Sequence, residues 1–493
     1  MQILDNVVNK ARVIALFATF LVGCAQTQPD HQSSDLAIVG VSIIDVKTGA
    51  VLKGRTLIIN AERILDIGPY PGFKIPGAAN VIDGTGKYAI PGLWDMHVHL
   101  INKEPVLPWD LDQPDPGSES ERPTYIPAWV AFGVTGAREM SGSEMSLRMR
   151  DQVEANEIDG PHLVIGSPIL DGAYPTWPGD GVMAIANPKE ARAAVKQLNE
   201  QGFDFLKPYT LLTPESYRAI TETASRLEME VAGELPLSVS AWDAVRLGQR
   251  SIEHMTGLEI ACSGEEARLR GEYAAGVAAI SADTESDTKV SLWNRGEWEP
   301  VASIDPRKCR RLYEYFAEED VWVTPTLVVQ RSISYPDTHG NPYLKYINKW
   351  DADVTDLIET FDPERRLGPT YEHRFNAIKD LQDAGVGILA GSDLQGGFWL
   401  HEELSILVEA GLTPLQALQT ATINPAKFLK KERDLGSIAA GKFADIVILN
   451  SNPLENINNT MAIDSVILKG RVYDRARLDR MLLQVEADAK AWE

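Results

Sequence analysis

The chain has 493 residues, enough for one large core with a satellite domain or for two or three ordinary domains. Its composition is that of a folded globular protein, and its formal net charge of −23 argues against nucleic acid or an anionic membrane surface as a partner. The three cysteines, Cys24, Cys262 and Cys309, are too few for a disulfide framework or a cysteine metal cage.

A short apolar segment near the N-terminus is typical of an export signal. Two basic residues precede the run VIALFATFLVG (13–23), which is too short to span a bilayer comfortably and has the length of a signal-peptide core. The run ends in LVGC, which resembles the bacterial lipobox and implies cleavage before Cys24 and lipid attachment to its thiol. Alanine follows Cys24, which in Gram-negative lipoproteins implies the outer membrane, on the periplasmic side of the cell envelope. A plain secretory signal is the alternative.

Strand-rich segments lie at both ends of the chain beyond the signal peptide (1–23) and a polar tether (24–35). LAIVGVSIIDV, TLIIN and RILDIG are β-rich runs separated by glycines and charged turn residues, and DIVILN and DSVILKG repeat the pattern near the C-terminus. We therefore predict one composite β-domain from 36–90 and 434–475. A C-terminal helix is expected over 476–493.

The middle of the chain, 91–433, alternates short apolar strands with amphipathic helical segments, which is the pattern of a parallel α/β sheet or barrel. Eight such units fit a (β/α)8 barrel, whose active site lies at the C-terminal ends of its strands. A doubly wound open sheet is the alternative, but no Gly-rich phosphate fingerprint follows any strand. The predicted strands are 93–97, 134–139, 163–168, 203–207, 230–233, 251–254, 321–325 and 386–390.

Side chains suited to metal binding end several of these strands. His97 and His99 are two residues apart, which puts both imidazoles on one face of a strand, and imidazole is the commonest side-chain metal ligand. An isolated HxH pair would be weak support, but other strands end in comparable groups. The six candidate ligands are His97, His99, Lys207, Glu234, His254 and Asp393.

These motifs, taken in order, resemble the metal-dependent amidohydrolases, in the branch related to imidazolonepropionase and to Xaa-Pro dipeptidases. The matching stretches include PGLWDMHVH, FGVTGAREM, FDFLKPY, RSIEHM, VTPTLVV, LAGSD and GSIAAGKFADIVIL. The likeness runs over 36–473 and implies a (β/α)8 TIM barrel with a β-sandwich built from both termini. This agrees with the strand pattern.

The resemblance also assigns roles to the candidate ligands. His97 and His99 match the first-strand ligands, His254 the sixth-strand histidine and Asp393 the eighth-strand aspartate. Lys207 matches the fourth-strand lysine, which in many members is carbamylated by CO₂ and so bridges two metals. The implied cofactors are two divalent ions, Zn²⁺ first with Mn²⁺ or Co²⁺ as alternatives, and CO₂ held as the lysine carbamate.

Glu234 is the one departure from the family pattern, which has histidine at this position. Three interpretations compete. Glu234 replaces imidazole as a ligand, because a carboxylate oxygen reaches Zn²⁺ at a similar distance. Alternatively, it forms an ion pair away from the metal, leaving a single ion on His97, His99 and Asp393. In the third interpretation the site is degenerate and catalysis is lost.

The ligand set predicts a hydrolytic mechanism. A metal lowers the pKa of bound water, so that hydroxide is available near neutral pH, and it polarises the scissile carbonyl. Asp393 then serves as general base and afterwards as general acid for the leaving nitrogen. Tyr209 is a candidate donor to the oxyanion or to a substrate carboxylate, with simple packing as its alternative.

Residues further from the strand ends receive structural roles. His401 is expected to contact the metal ligands, without binding metal itself, or to have a structural role. Arg331 is expected to be a solvated surface residue, with pairing to a substrate carboxylate as the alternative. Long segments at 170–181, 256–300 and 330–370 are expected to cover the barrel mouth.

The sequence thus predicts a lipid-anchored binuclear metal hydrolase that cleaves an amide of a dipeptide or N-acyl amino acid. If the protein is an enzyme, the alternative is a deaminase, lactonase or phosphotriesterase on the same scaffold. If it is not an enzyme, the alternative is a surface-anchored binding protein without activity. A small-molecule or dipeptide partner is expected and nucleic acid is not, and the chain is compatible with a homo-oligomer.

Overall fold

The computed structural model of the protein describes residues 35–100, 125–177, 181–335, 341–347 and 366–491. The predicted signal peptide, Cys24 and nearly all of the tether therefore lie outside the described residues. Among the described helices, none is both long enough and apolar enough to cross a membrane.

In the described part of the chain, seventeen strands form two separate sheets. In chain order they are β1 Leu36–Asp45, β2 Ala50–Asn60, β3 Arg63–Pro69, β4 Asn80–Asp83, β5 Tyr88–Pro91, β6 Leu93–Val98, β7 Val134–Glu139, β8 His162–Asp171, β9 Val182–Ala184, β10 Phe205–Pro208, β11 Glu230–Gly233, β12 Gln249–Glu253, β13 Trp322–Thr324, β14 Gly387–Ile388, β15 Ile446–Leu449, β16 Ile463–Leu468 and β17 Arg471–Asp474.

Fifteen α-helices lie in the described part of the chain. They are α1 Ile126–Ala131, α2 Glu144–Glu154, α3 Pro188–Gln201, α4 Pro214–Arg226, α5 Ala241–Arg246, α6 Leu258–Cys262, α7 Glu266–Ala279, α8 Ser286–Trp298, α9 Pro306–Glu318, α10 Leu327–Ser334, α11 Gly368–Ala384, α12 Trp399–Glu409, α13 Pro414–Thr420, α14 Ile423–Phe428 and α15 Arg475–Ala491.

The larger sheet forms the barrel. Its strands run in the order β14, β13, β12, β11, β10, β8, β7 and β6, and every neighbouring pair is parallel. Two backbone hydrogen bonds join the end of this sheet to its beginning: Met96 N–H donates to Ala390 O and Asp393 N–H to His97 O, each at 2.8 Å. The ring is thereby closed, which confirms the predicted (β/α)8 barrel and not an open sheet.

The smaller sheet combines strands from both ends of the chain. Its order is β17, β16, β15, β5, β1, β2 and β3, with β4 beside β1. The N- and C-terminal parts join where β5 and β15 pair antiparallel, with Ile90 opposite Val447. The prediction of a β-rich unit built from both termini is confirmed.

The barrel strands follow from their sequences. All six residues of β6 and all six of β7 are buried, as expected of parallel strands covered on both faces. Helices begin at cap residues: the Thr213 side chain accepts a hydrogen bond from Ser216 N–H just ahead of Pro214, the first residue of α4. Short capped βα units of this kind bring every strand end to the same mouth of the barrel.

The structure revises the interpretation of the cysteines. Cys262 and Cys309 form a disulfide with a Cα–Cα distance of 4.7 Å. Three cysteines are too few for a framework, but α6 and α9 pack against each other and bring two of them together. A separation of 47 residues in the chain gave no sign of this proximity.

Candidate metal centre

The predicted ligands lie at the C-terminal ends of their barrel strands. His97 is in β6 and His99 follows it, Lys207 is in β10, Glu234 directly follows β11, and His254 directly follows β12. Asp393 is in the loop after β14. Parallel strands present these ends at one mouth, so side chains separated by up to nearly 300 residues converge.

Asp393 is the centre of this arrangement. Its Oδ1 lies 3.0 Å from His99 Nε2 and 3.4 Å from His97 Nε2, and its Oδ2 lies 3.7 Å from His254 Nδ1. His97, His99 and Asp393 form the tightest group of candidate metal donors among the described residues. The eighth-strand carboxylate therefore faces three imidazoles at once.

Glu234 and Lys207 border the same cluster. Glu234 Oε1 lies 3.6 Å from His254 Nε2. Lys207 and Glu234 are both buried, and the positive charge of Lys207 acts to lower the pKa of Glu234. The six predicted ligands are thus brought to one region, although Lys207, Glu234 and His254 lie outside the group of His97, His99 and Asp393.

A buried network orients His97. Glu253 accepts a hydrogen bond from His97 Nδ1 at 2.9 Å, and the Arg138 guanidinium contacts both oxygens of the same carboxylate at 2.8 and 2.9 Å. All three side chains are inaccessible to solvent. Fixing Nδ1 in this way directs Nε2 of His97 towards Asp393, as a carboxylate bonded to the other ring nitrogen does for a metal-binding histidine.

The loop that carries Asp393 is pinned to β6. Asp95 Oδ1 accepts hydrogen bonds from Ser392 N–H at 3.0 Å and from His97 N–H at 3.1 Å. Gly391 permits a close approach, because a Cβ at this position would lie 2.7 Å from His97 Cβ. The first-strand and eighth-strand ligands are therefore held in a fixed relationship.

The backbone is strained at this mouth. His254 and Asp393 have φ values of 57° and 56°, and neither is a glycine. Such left-handed residues are uncommon and persist where the surrounding structure enforces them, often at functional sites. Here the conformation turns each side chain inwards at the point where its strand has ended.

The protonation of the histidines differs with their partners. Burial lowers the pKa of His97 to about 4 and that of His254 well below its ordinary value, so both imidazoles are neutral at pH 7. Burial acts in the same direction on His99, but hydrogen bonds to Asp393 and Glu139 outweigh it and raise its pKa to about 9. His99 must therefore release a proton to act as a ligand.

The two carboxyl groups also differ. Burial would raise the pKa of Asp393, but the imidazoles of His97, His254 and His99 hold it well below its usual range, so the group stays ionised. Burial raises the pKa of Glu234 to about 8, against the opposing charge of Lys207. A cation beside Glu234 would favour its ionised form.

The donor set fits a divalent metal. His97 Nε2 and Glu234 Oε2 are buried, and neither has a hydrogen-bond partner among the described residues. Buried polar atoms are normally satisfied, and these two belong to groups that ligate metals. Imidazoles, carboxylates and a lysine that can accept CO₂ match the mixed nitrogen and oxygen ligands of Zn²⁺ or Mn²⁺ sites.

Tyr209 stands beside this centre. Its hydroxyl oxygen accepts a hydrogen bond from Trp177 Nε1 at 2.9 Å, and burial raises the pKa of its phenol well above the ordinary value. The group is therefore a neutral phenol whose own proton is available for donation. Trp177 lies in one of the segments expected to cover the mouth.

Two residues outside the cluster have structural roles. His401 is buried and bonded through Nδ1 to Thr460 Oγ1 and through Nε2 to Phe132 O, each at 2.8 Å, as the structural alternative predicted. Arg331 is partly exposed, as predicted, but it is also ion-paired: its guanidinium contacts Glu402 and lies 3.5 Å from Glu409. Helix α10 packs against α12, and this contact brings the two acids to Arg331.

Sequence reasoning missed the residues that position the ligands. Arg138 and Glu253 lie inside the quoted motifs FGVTGAREM and RSIEHM but were not singled out. The available signal was a charged side chain within an otherwise apolar buried strand, which is rare unless the charge is paired. Their mutual pairing depends on barrel geometry that the sequence does not contain.

Comparison with known proteins gives a family match over most of the chain. A sequence model of the amidohydrolase family matches residues 88–473. An adenine deaminase from Rubrobacter xylanophilus is 34% identical over 463 residues, which cover 90% of this chain and 59% of that protein. The chain spans less than two thirds of the length of the curated relatives it matches.

Solved structures share the fold at lower identity. A Xaa-Pro dipeptidase with bound methionine in its active site superposes with a TM-score of 0.65 and 20% identity, covering 90% of this chain and all of that one. A putative prolidase from Bifidobacterium longum gives a TM-score of 0.61 at 22% identity, covering 92% of this chain and 99% of the other. At these identities the likeness concerns the fold alone.

Proposed function

The chain belongs to the amidohydrolase family, and on that premise we propose that it is a binuclear metal-dependent hydrolase of an amide bond in a dipeptide or N-acyl amino acid. The observation that carries the proposal is the contact of Asp393 with three imidazoles from two other strand ends. A carboxylate held ionised among three imidazoles is suited to accept a proton from an attacking water.

The proposed metal sites use all six strand-end residues. His97, His99 and Asp393 would hold one ion, and Glu234, His254 and Asp393 the other, with a Lys207 carbamate between them. Zn²⁺ is the first choice, and the carboxylate at Glu234 increases the suitability of Mn²⁺. When bound, such ions lower the pKa of water and polarise a carbonyl.

Asp393 is the proposed proton carrier. Because its carboxylate stays ionised among the imidazoles, it can accept a proton from the attacking water and pass it to the leaving nitrogen. Its two oxygens lie close to different histidines, so the proton can reside on one side while the other keeps its contacts. This is the dual role expected from the sequence.

Tyr209 is proposed to bind the oxygen that becomes negative during hydrolysis. Its phenol is buried, stays protonated, and is held by Trp177 Nε1. A donor that is fixed beforehand stabilises developing charge without reorganising, and removing one typically costs about 10²–10³ in kcat. A Tyr209→Phe variant should therefore lose activity while keeping its metal.

Deamination of a purine is the second candidate function. It is favoured by one observation, the 34% identity to an adenine deaminase over 90% of this chain. Both reactions add water at a carbon bonded to nitrogen, so the same strand-end groups would serve either. The choice between them depends on the segments that cover the mouth.

We also propose that the mature protein is a lipoprotein anchored through Cys24 at the periplasmic side of the outer membrane. The Cys262–Cys309 disulfide supports export, since structural disulfides persist in oxidising compartments. Changing Cys24 to alanine should shift the protein from the membrane fraction to the soluble fraction. Continued membrane association of this variant would refute the lipid anchor.

Metal analysis followed by a substrate panel tests the function. Purified protein supplemented with Zn²⁺ or Mn²⁺ should bind about two equivalents and hydrolyse members of a panel of dipeptides and N-acyl amino acids, whereas lactones and adenine should be poor substrates. Turnover of adenine alone would select the deaminase. Protein that binds no metal after supplementation would refute both the amide hydrolase and the deaminase.

A further inference from the structure

Helix α8 carries a buried acid that the mechanism does not use. Glu297 is 3% exposed, and its Oε1 has no hydrogen-bond partner among the described residues. Asn294 lies three residues earlier, and its Oδ1 is also buried without a described partner. Residues three apart share one face of a helix, so both acceptors belong to the same face of α8.

Glu297 belongs to a buried cluster whose charges do not cancel. Arg374 donates from Nε to Glu259 Oε1 at 2.7 Å and from Nη2 to Glu297 Oε2. All three side chains are at most 4% exposed. Two carboxyl groups against one guanidinium leave one of them without a counter-charge, and burial raises the pKa of Glu297, so a proton or a cation is needed to balance its charge.

This cluster is connected to the candidate metal centre. Arg374 Nη1 donates to Gln330 Oε1 at 2.9 Å, and Gln330 Nε2 donates to the backbone oxygen of His254 at 3.2 Å. Glu297 is also near enough to Glu234 for its negative charge to act on that carboxyl group. The uncompensated acid therefore borders the site where hydrolysis is proposed.

The other end of α8 reaches Tyr209. Val290, seven residues before Glu297, packs in one buried apolar cluster with Trp177 and Tyr209. Positions 290, 294 and 297 share a helical face, so this face changes from apolar beside Tyr209 to polar beside Arg374. The apolar part of this face adjoins Tyr209, and the polar part carries the unpartnered oxygens of Asn294 and Glu297.

We propose that Glu297 and Asn294 bind a protonated amine of the substrate beside the scissile carbonyl. An ammonium group carries three donors and one positive charge, which match the two acceptor oxygens and the excess carboxylate. The inference rests on the proposed amide hydrolysis and narrows its substrate class. Dipeptides with a free amino terminus are favoured, and N-acyl amino acids are excluded.

The test combines binding and turnover in metal-loaded protein. Leucinol, which has an amine and no hydrolysable bond, is compared with 4-methylpentan-1-ol by calorimetry. Leucyl-alanine is compared with N-acetyl-leucyl-alanine by kcat/KM. Wild-type protein should prefer the amine at least tenfold in both comparisons. Glu297→Gln should remove the preference, and Glu299→Gln, which changes a partly exposed acid on the same segment, should retain it.

A second variant tests the proposal even if Glu297→Gln fails to fold. Asn294→Ala leaves the Arg374 pairs intact and should reduce the preference several-fold. Equal affinity for the two ligands, no measurable binding of either, or an unchanged preference in Glu297→Gln would overturn the amine site. Similar hydrolysis of both peptides would overturn the amine site and support the proposed hydrolase. A preference for leucinol without hydrolysis of any amide would support the amine site and contradict the proposed hydrolase.

Discussion

Glu234 Oε1 lies 3.6 Å from Nε2 of His254, so the carboxylate at the position of the usual fifth-strand histidine faces the sixth-strand histidine at the end of the neighbouring strand. Its other oxygen is buried without a partner among the described residues. Among the described residues no ion pair joins Glu234 to an arginine or a lysine, although the charge of Lys207 acts on its carboxyl group. The geometry therefore favours Glu234 as a ligand.

The first prediction concerns the charge of Glu234. Glu234→Gln keeps the shape of the side chain but removes the anion, so metal content should fall below two equivalents and kcat/KM should fall tenfold or more. Metal analysis and steady-state kinetics provide the measurements. Glu230→Gln, a change of a partly exposed acid at the start of the same strand, is the control. Unchanged metal and activity in Glu234→Gln would show that Glu234 is not a ligand.

The second prediction restores the usual family residue. Glu234→His should keep two equivalents of metal and measurable activity, because an imidazole nitrogen and a carboxylate oxygen reach Zn²⁺ at similar distances. The preference for Mn²⁺ over Zn²⁺ should weaken in this variant, since one oxygen ligand is lost. Competition between the two ions, followed by metal analysis, measures this. A variant that binds no metal would contradict interchangeable ligands at this position.

The third prediction separates ligand positioning from ligation. Glu253 holds Nδ1 of His97 and neutralises Arg138, and all three are buried. Glu253→Gln leaves the guanidinium without its counter-charge and should lower the free energy of unfolding by about 3–5 kcal/mol. Metal affinity should fall about 10–100-fold.

Urea denaturation and metal titration measure these two effects. Glu222→Gln, which breaks an exposed ion pair with Arg226, is the matched control and should change stability by less than about 1 kcal/mol. If Glu253→Gln were as stable as this control, the network would not be holding His97.

The fourth prediction is a pH dependence of stability away from the metal centre. Burial lowers the pKa of His401 from 6.5 to about 4, so the unfolded chain binds a proton that the folded chain excludes. The contribution of neutral His401 to the free energy of unfolding is fully present above pH 6.5 and is lost as pH falls towards 4. At 1.36 kcal/mol per pKa unit, the loss is about 3 kcal/mol.

His401→Gln should flatten this dependence. Urea unfolding between pH 4.5 and 8 gives the free energy of unfolding of each protein. The value for the wild type minus that for the variant should shrink as pH falls. Parallel curves over the whole range would show that His401 takes up its proton equally in both states.

Local pattern predicted much of the fold. The predicted strands 134–139 and 230–233 coincide with β7 and β11, because apolar and β-branched runs bounded by turns specify short buried strands. The strand-end rule of parallel barrels then brought Lys207 and Glu234 to one mouth. These predictions need only the local sequence and the geometry of a parallel (β/α)8 barrel.

Longer-range features were not predictable in this way. His254 and Asp393 lie beyond their strands in left-handed conformations, which tertiary contacts enforce. The Arg138–Glu253 pair spans 115 residues and becomes visible only when the barrel closes. The position of α8 at the mouth, and with it Glu297, likewise depends on packing between loops.

A crystal structure of the protein loaded with Mn²⁺ or Zn²⁺, with anomalous scattering to locate the ions, tests the central claim most directly. We predict two ions at the barrel mouth, a carbamate on Lys207 bridging them, and an oxygen of Glu234 about 2.0–2.2 Å from one ion. Two fully occupied ions with the Glu234 carboxylate turned away, or no ion at His97, His99 and Asp393, would contradict it.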